Sequence, residues 1–351
     1  MSVTVKQING DSTFLLTFAP SNTAASSPGL TSSSASFSIL TDPWLTGPCQ
    51  IWHSKFSLTH RTTQSLVQHL SELKPDIILI SQDKPDHCHE ATLRQLPPGL
   101  ANTIILAEPA AAKKIRGWKY FDPDRVLALT TFSDSAPDTI TRFAIPASVS
   151  TGNPGEITVA YIPAKRDVTG LHNAIGITYR PPRRPPSPAF PSTANLPPTP
   201  PDSSHSSSPS TSKLPLPILD RPRPLSIIYS PHGVTYAHIK PYAISHLVRE
   251  AALPLTALLH SFDRVQNPWW LGGNISAGFP GGLRIAQNLL ARAWISAHDE
   301  EKENSGIGVS SAKTRKYSVD EVRSMVEKVN TNVKTEVRML HVGEEMVLKA
   351  G

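Results

Sequence analysis

Ile77-Ile78-Leu79-Ile80-Ser81-Gln82-Asp83-Lys84-Pro85-Asp86-His87-Cys88-His89 is the stretch on which the reading of this chain turns. Its first four residues are continuously apolar and read as a buried strand. The strand runs directly into a polar loop that gathers carboxylates, two imidazoles and a thiol within a few residues. Glu90 to Gln95, immediately after the loop, reads as a short helix.

Upstream, Val3–Ile8 alternates apolar and polar residues, Ser12–Phe18 is rich in β-formers, and Asn9-Gly10-Asp11 between them makes a turn. The pair is expected to form a hairpin. Phe37–Leu40 is the next strand, stopped by Asp42-Pro43-Trp44 and Gly47. Leu66, Leu70 and Leu73 recur at helical spacing, so His60–Leu73 is expected to be an amphipathic helix. Downstream, Thr103–Ala107 reads as a strand and Pro109–Gly117 as a helix with Pro at its start and Gly at its end. Further strands are expected at Val126–Leu129, Ile140–Ile145, Ile157–Ile162, Ala174–Tyr179, Leu225–Tyr229, Leu255–His260 and Trp294–Ala297. Helices are expected at Ala237–Ala251 and Gly282–Ala293. Lys302–Arg315 reads as a polar loop, Ser318 with Glu321 as a capping box opening a last helix, and Val337–Leu348 as a terminal hairpin.

With 351 residues the chain can bury a large core. Its 34 prolines are strongly clustered, which separates two stretches from the rest. Residues 20–36 are Ser/Ala-rich and expected to be a loop. Residues 181–224 are Pro/Ser-rich, too poor in apolar groups to offset ordering entropy, and expected to be a disordered insertion. Pro197-Pro198-Thr199-Pro200-Pro201 offers adaptor modules a ligand as the alternative to a plain insertion. The net charge of +6 is dispersed apart from the edges of that insertion, and no nucleic-acid-binding motif appears, so no nucleic acid partner is expected. Two cysteines give no disulfide framework. The N-terminus lacks the pattern of a signal peptide, and no apolar run reaches the roughly 20 residues of a spanning helix. A cytoplasmic protein without stable membrane insertion is expected; the sequence sets no oligomeric state.

Four places give the chain a resemblance to the metallo-β-lactamase superfamily, and within it to the branch of lactonases and N-acylethanolamine phospholipase D-like enzymes. They are the opening hairpin around Asn9-Gly10-Asp11, the Asp42-Pro43-Trp44 turn, the Ser81–His87 loop, and a helix and strand ending in His298. The resemblance spans nearly the whole chain outside the two insertions. It implies one α/β domain over 1–351, a four-layer αββα sandwich of two mixed sheets flanked by helices. It also implies a hydrolytic site built on the motif His-x-His-x-Asp-His.

This chain carries the motif in degenerate form. Gln82 and Lys84 stand at the first two histidine positions, and Arg166 falls where the third ligand of the same metal is expected. Asp86, His87 and His298, the ligands that the resemblance implies for the second metal, are kept. Where a bridging aspartate is expected, the chain has Ser230-Pro231-His232-Gly233, so His232 is either a replacement ligand or part of a tight turn. The resemblance thus implies one zinc ion, or iron or manganese in its place, held by Asp86, His87, His232 and His298. Lys84 and Arg166, together with Asp86, are expected to act on a small-molecule substrate, the two cations through its negative charge.

Other groups nearby have plainer readings. His89 is expected to be a neighbour in the loop and Cys88 a buried filler. His172 is a candidate shifted ligand, and Asp11 either supports the site or makes a turn. Trp269-Trp270 reads as core packing, with an apolar substrate pocket as the alternative. The function expected is metal-dependent hydrolysis of an ester, lactone or phosphoester. The alternatives are a catalytically inactive scaffold on the same fold and a membrane-surface lipid phosphodiesterase, although no amphipathic docking helix is evident.

Overall fold

The structure is a computed structural model that describes residues 1–20, 36–147, 152–182, 223–271, 273–329 and 333–350. Both insertions expected from the sequence, 20–36 and 181–224, lie almost entirely outside the described residues.

The periodicities of the sequence become two seven-stranded mixed sheets. Across the first the order is Glu345–Lys349, Ser2–Gln7, Phe14–Ala19, Phe37–Thr41, Ile77–Ile80, Ile104–Ala107 and Val126–Ala128. Across the second it is Glu336–Arg338, Ala293–Ile295, Ala257–His260, Leu225–Ser230, Asn173–Arg180, Gly155–Pro163 and Thr141–Ile145. Phe14, Leu16 and Phe18 are buried and alternate with partly exposed residues, and they meet Ile175, Ile177, Tyr179 and Ile227 of the facing sheet in one apolar layer. Strands covered on both sides lose the alternation: all four residues of Ile77–Ile80 are buried. Ile77 and Leu79 point into the layer between the sheets, and Ile78 and Ile80 pack with Ala111 and Ile115 of the helix Pro109–Gly117. On the far side, Ile228, Leu258 and Trp294 pack under the helices Tyr236–Tyr242, Gly278–Asn288 and Val319–Val329. Helix, sheet, sheet and helix make the four-layer αββα sandwich expected.

Three local expectations fail. Over His60–Leu73 the chain forms the end of a strand, Ser57–Arg61, and a single 3-10 turn, Leu70–Glu72. Arg61 pins this stretch, donating to the carbonyls of Asn9, Trp44, Leu45 and Thr63, and Leu66 is left 44% exposed. Tertiary anchoring has overridden a three-leucine pattern. Lys302–Arg315, expected as a loop, contains the strands Lys302–Ser305 and Lys313–Arg315, which pair with Ser57–Arg61 and Arg264–Gln266. The expected terminal hairpin is split: Glu336–Arg338 joins the second sheet beside Ala293–Ile295, and Glu345–Lys349 joins the first beside Ser2–Gln7. Among the described residues no helix is long and apolar enough to cross a membrane.

His260 is held in the second core with no partner for Nε2, while its Nδ1 donates to the Ser261 carbonyl. Burial pushes its pKa down from 6.5 to about 4. The unfolded chain therefore binds the extra proton between roughly pH 6.5 and 4, and the folded chain does not. The stability linked to this group is complete above that window and is lost as pH falls through it, by about 3 kcal/mol. Chemical denaturation at pH 7 and pH 4.5 is expected to show a smaller loss on acidification for His260→Asn than for wild type. Equal losses in the two proteins would contradict the assignment.

Candidate metal centre

The loops that follow four strands converge at one edge of the sandwich. Phe37–Thr41 leads into Asp42, Ile77–Ile80 into Asp86 and His87, Leu225–Ser230 into His232, and Ala293–Ile295 into His298. One ligand-type atom from each of Asp86, His87, His232 and His298 can be chosen so that all four lie within 4.8 Å of one another. The Nε2 atoms of His87 and His232 are 3.0 Å apart, and Asp86 Oδ2 lies 3.8 Å from both His87 Nε2 and His298 Nε2. A tetrahedral site with bonds of about 2.0–2.1 Å spaces its donors by roughly 3.3 Å. His87 is fully buried, whereas Asp86 and His298 keep 24% and 12% of their side-chain surface in solvent.

Each imidazole is oriented through its other nitrogen. His87 Nδ1 donates to Asp42 Oδ2 at 2.7 Å, His232 Nδ1 to the Ile275 carbonyl at 2.9 Å, and His298 Nδ1 to Asp11 Oδ2 at 3.1 Å. A carboxylate or carbonyl can only accept, so Asp42 and the Ile275 carbonyl fix the tautomers of His87 and His232 and leave Nε2 of each with its lone pair, whereas Nδ1 of His298 also faces the Lys302 ammonium at 3.3 Å. Two such lone pairs cannot face each other at 3.0 Å without positive charge between them. A proton on His87 meets the need, and a divalent cation meets it equally. This is the observation that makes the donor set fit a metal.

The electrostatics agree. Burial pulls His87 down, but the carboxylates of Asp86 and Asp42 outweigh it and hold the ring above the usual histidine range. Burial and the neighbouring His298 and His87 drive His232 well below that range. Asp86 is held below the ordinary carboxylate range because His87, His298 and Lys302 outweigh its desolvation. Asp11 is held well below it by His298 and Lys302, again against desolvation.

The structure does not bring Lys84 and Arg166 to the quartet. The Lys84 ammonium bonds Asp83 at 2.6 Å. Arg166 is exposed and makes no hydrogen bond or ion pair among the described residues. The cation that meets the quartet is Lys302, which sequence reading missed. Its side chain is 11% exposed, and its ammonium lies 2.8 Å from Asp11 Oδ2 and 3.3 Å from His298 Nδ1. Lys302 sits in a polar run without apolar periodicity, so no local signal marks it.

His89 caps the helix Glu90–Leu93 by accepting from Thr92 N and stands outside the quartet. Cys88 is buried with its thiol pushed up to about 12, which removes it as a nucleophile. His172 pairs with Asp167 at 3.1 Å and with Asn274 at 2.9 Å, also outside the quartet. Gln82 donates to the Leu171 carbonyl and Asn173 to the Ser81 carbonyl, and the carboxamide oxygens of both are buried without a hydrogen-bond partner. Trp269 and Trp270 are 86% and 66% exposed, so they do not pack in the core.

Residues 27–165 match the profile of a family described as the Beta-lactamase superfamily domain. No curated protein matches the chain. Among solved structures the chain is similar to the isothiocyanate hydrolase from Delia radicum gut bacteria. Identity is 16%, TM-score 0.51, and coverage 99% of this chain and 100% of that one. It is also similar to Igni18, a metallo hydrolase from Ignicoccus hospitalis, at 11% identity and TM-score 0.47 over 99% of each chain. A third similar structure is the metallo-β-lactamase fold protein YhfI from Bacillus subtilis, at 11% identity and TM-score 0.45 over 99% of each chain. The chain has the four-layer metallo-β-lactamase fold and carries a His/Asp cluster that could hold a metal ion.

Proposed function

We propose that this protein is a metal-dependent hydrolase of an ester, lactone or phosphoester, with one metal ion held by Asp86, His87, His232 and His298. The reading rests on three imidazoles and a carboxylate converging within 4.8 Å, each imidazole aimed by a hydrogen bond from Nδ1. Asp and His donors fit zinc, with iron or manganese as alternatives. When bound, such an ion supplies Lewis acidity and makes water acidic enough to attack near neutral pH.

The remaining work falls to this chain. Asp42, Asp11 and the Ile275 carbonyl hold the rings in place. Lys302 keeps Asp11 charged and thereby keeps His298 turned. Lys84 is held by Asp83, and Arg166, exposed and without an ion pair among the described residues, is the cation left to attract an anionic small-molecule substrate.

Metal analysis by plasma mass spectrometry tests the reading. Wild type is expected to carry about one zinc, iron or manganese ion per chain. Asp86→Ala and His298→Ala are expected to carry none, while His172→Ala keeps its ion. A wild type without metal after reconstitution would point to a scaffold on a retired hydrolase fold. That second reading is favoured by Gln82 and Lys84, which spend their polar ends on Leu171 and Asp83.

A further inference from the structure

Three of the six tryptophans and one isoleucine are left in solvent on segments that the fold stitches together. Trp52, Trp269, Trp270 and Ile307 are 83%, 86%, 66% and 72% exposed. Trp52 leans on Phe56, with ring centroids 4.6 Å apart. Ile307 N donates to the Lys55 carbonyl and Gly308 N to the Phe56 carbonyl, at 3.2 and 2.8 Å. Asn267, two residues before Trp269, donates through Nδ2 to the Gly308 carbonyl at 3.4 Å. The strand Arg264–Gln266 pairs with Lys313–Arg315, placing Arg264 opposite Arg315.

The charge of this face is one-sided. Segments 52–56, 264–270 and 306–316 contain Lys55, Arg264, Lys313, Arg315 and Lys316, and no Asp or Glu. All five cations are exposed. Glu301 and Glu321, from neighbouring segments, pair only with Lys316 and Arg315. Scattered exposed apolar residues mean little. Indole rings beside an excess of exposed cations match a different surface: rings settle at the headgroup level of a bilayer, and lysines and arginines are drawn to anionic lipids.

We propose that this face docks the protein peripherally on an anionic lipid surface, through exposed Trp52, Trp269, Trp270 and Ile307 set among five exposed cations, of which Lys55, Arg264 and Lys313 make no ion pair among the described residues. Charge complementarity decides in favour of a lipid surface, because the cations are spread over three segments around the rings. The docking needs no spanning element and does not depend on the hydrolase reading. It would also set the quartet close to the surface. The loop bearing Trp269 and Trp270 runs into the strand Asn274–Ser276, whose Ile275 carbonyl orients His232.

Co-sedimentation of the full chain with vesicles tests the proposal. Wild type is expected to pellet with mixed phosphatidylcholine–phosphatidylserine vesicles, with a blue shift of tryptophan emission. It is expected to stay in solution with phosphatidylcholine alone and to be released by high salt. Trp269→Ala/Trp270→Ala and Arg264→Glu/Arg315→Glu are each expected to weaken partitioning by roughly tenfold or more, with unchanged thermal midpoints. His298→Ala, altered only in the quartet, is expected to bind like wild type, so a failure of the metal reading leaves this result standing. Absence of wild-type binding to anionic vesicles at low salt overturns the proposal. So does equal binding to neutral vesicles, or a solution dimer that the tryptophan variant dissolves, which would assign the face to a second copy.

Discussion

Asp42→Ala is expected to be the most damaging single substitution in the molecule. Asp42 is fully buried, sits at φ 37°, and accepts from four donors: Ser81 N, the Ser81 hydroxyl, the Tyr229 hydroxyl and His87 Nδ1. Removing the carboxylate leaves these donors without this acceptor in a core that excludes water. The Tyr229 hydroxyl keeps the Ser12 carbonyl as an acceptor, so three groups are stranded, and at about 1–3 kcal/mol each the total is on the order of 3–9 kcal/mol. A whole domain is stable by only about 5–15 kcal/mol. The expected result is a protein that unfolds at much lower denaturant or fails to accumulate folded.

Asp42→Asn keeps the shape and one acceptor oxygen and should cost far less. It should still lower metal affinity by about 10–100-fold, because His87 loses the anion that aims it. Tyr229→Phe, which removes one donor and strands nothing, should cost about 1 kcal/mol. A denaturation series that does not rank Ala well below Asn, and Asn below Phe, would show that Asp42 is not the hub described.

Arg61→Ala is expected to cost about 3–5 kcal/mol. The Arg61 and Glu300 side chains are 6% and 3% exposed and are joined at 3.0 Å. Truncating Arg61 leaves a buried carboxylate without its counter-ion. It also frees the carbonyls of Asn9, Trp44 and Leu45, which the guanidinium ties together. Burial already pushes Glu300 above the ordinary carboxylate range against the pull of Arg61, and loss of Arg61 moves it further in the same direction. The Arg61→Ala/Glu300→Gln double variant should therefore be less destabilised than the sum of its singles. Strict additivity in urea denaturation would mean that the pair is not coupled.

These two hubs show where sequence and structure part. Asp42-Pro43-Trp44 is visible as a turn that stops a strand, and the Ile77–Ile80 run is visible because a continuous apolar tetrapeptide has few other uses. Pro109 and Gly117 bound their helix without help from tertiary contacts. Asp86 and His87 are readable because strand and loop are contiguous. His232 and His298 lie far along the chain and came within reach through resemblance. Only the strand ends bring them to within 4.8 Å of Asp86 and His87. Lys302 and the anchoring by Arg61 leave no periodic trace, because each depends on partners distant in sequence. The same holds for Leu66, Leu70 and Leu73, whose helical spacing was outweighed by one buried guanidinium. It holds again for Val337 and Leu348, close in sequence but assigned to different sheets.

The pairing of Tyr179 with Leu225 has a consequence of its own. The chain departs from the second sheet and re-enters it at neighbouring positions. The departure point lies at the start of the strand Leu225–Ser230, and His232 lies just beyond its end. Six residues at about 3.3 Å each put roughly 20 Å between them. The exit and re-entry of the chain and the candidate ligand His232 thus occupy opposite poles of one sheet.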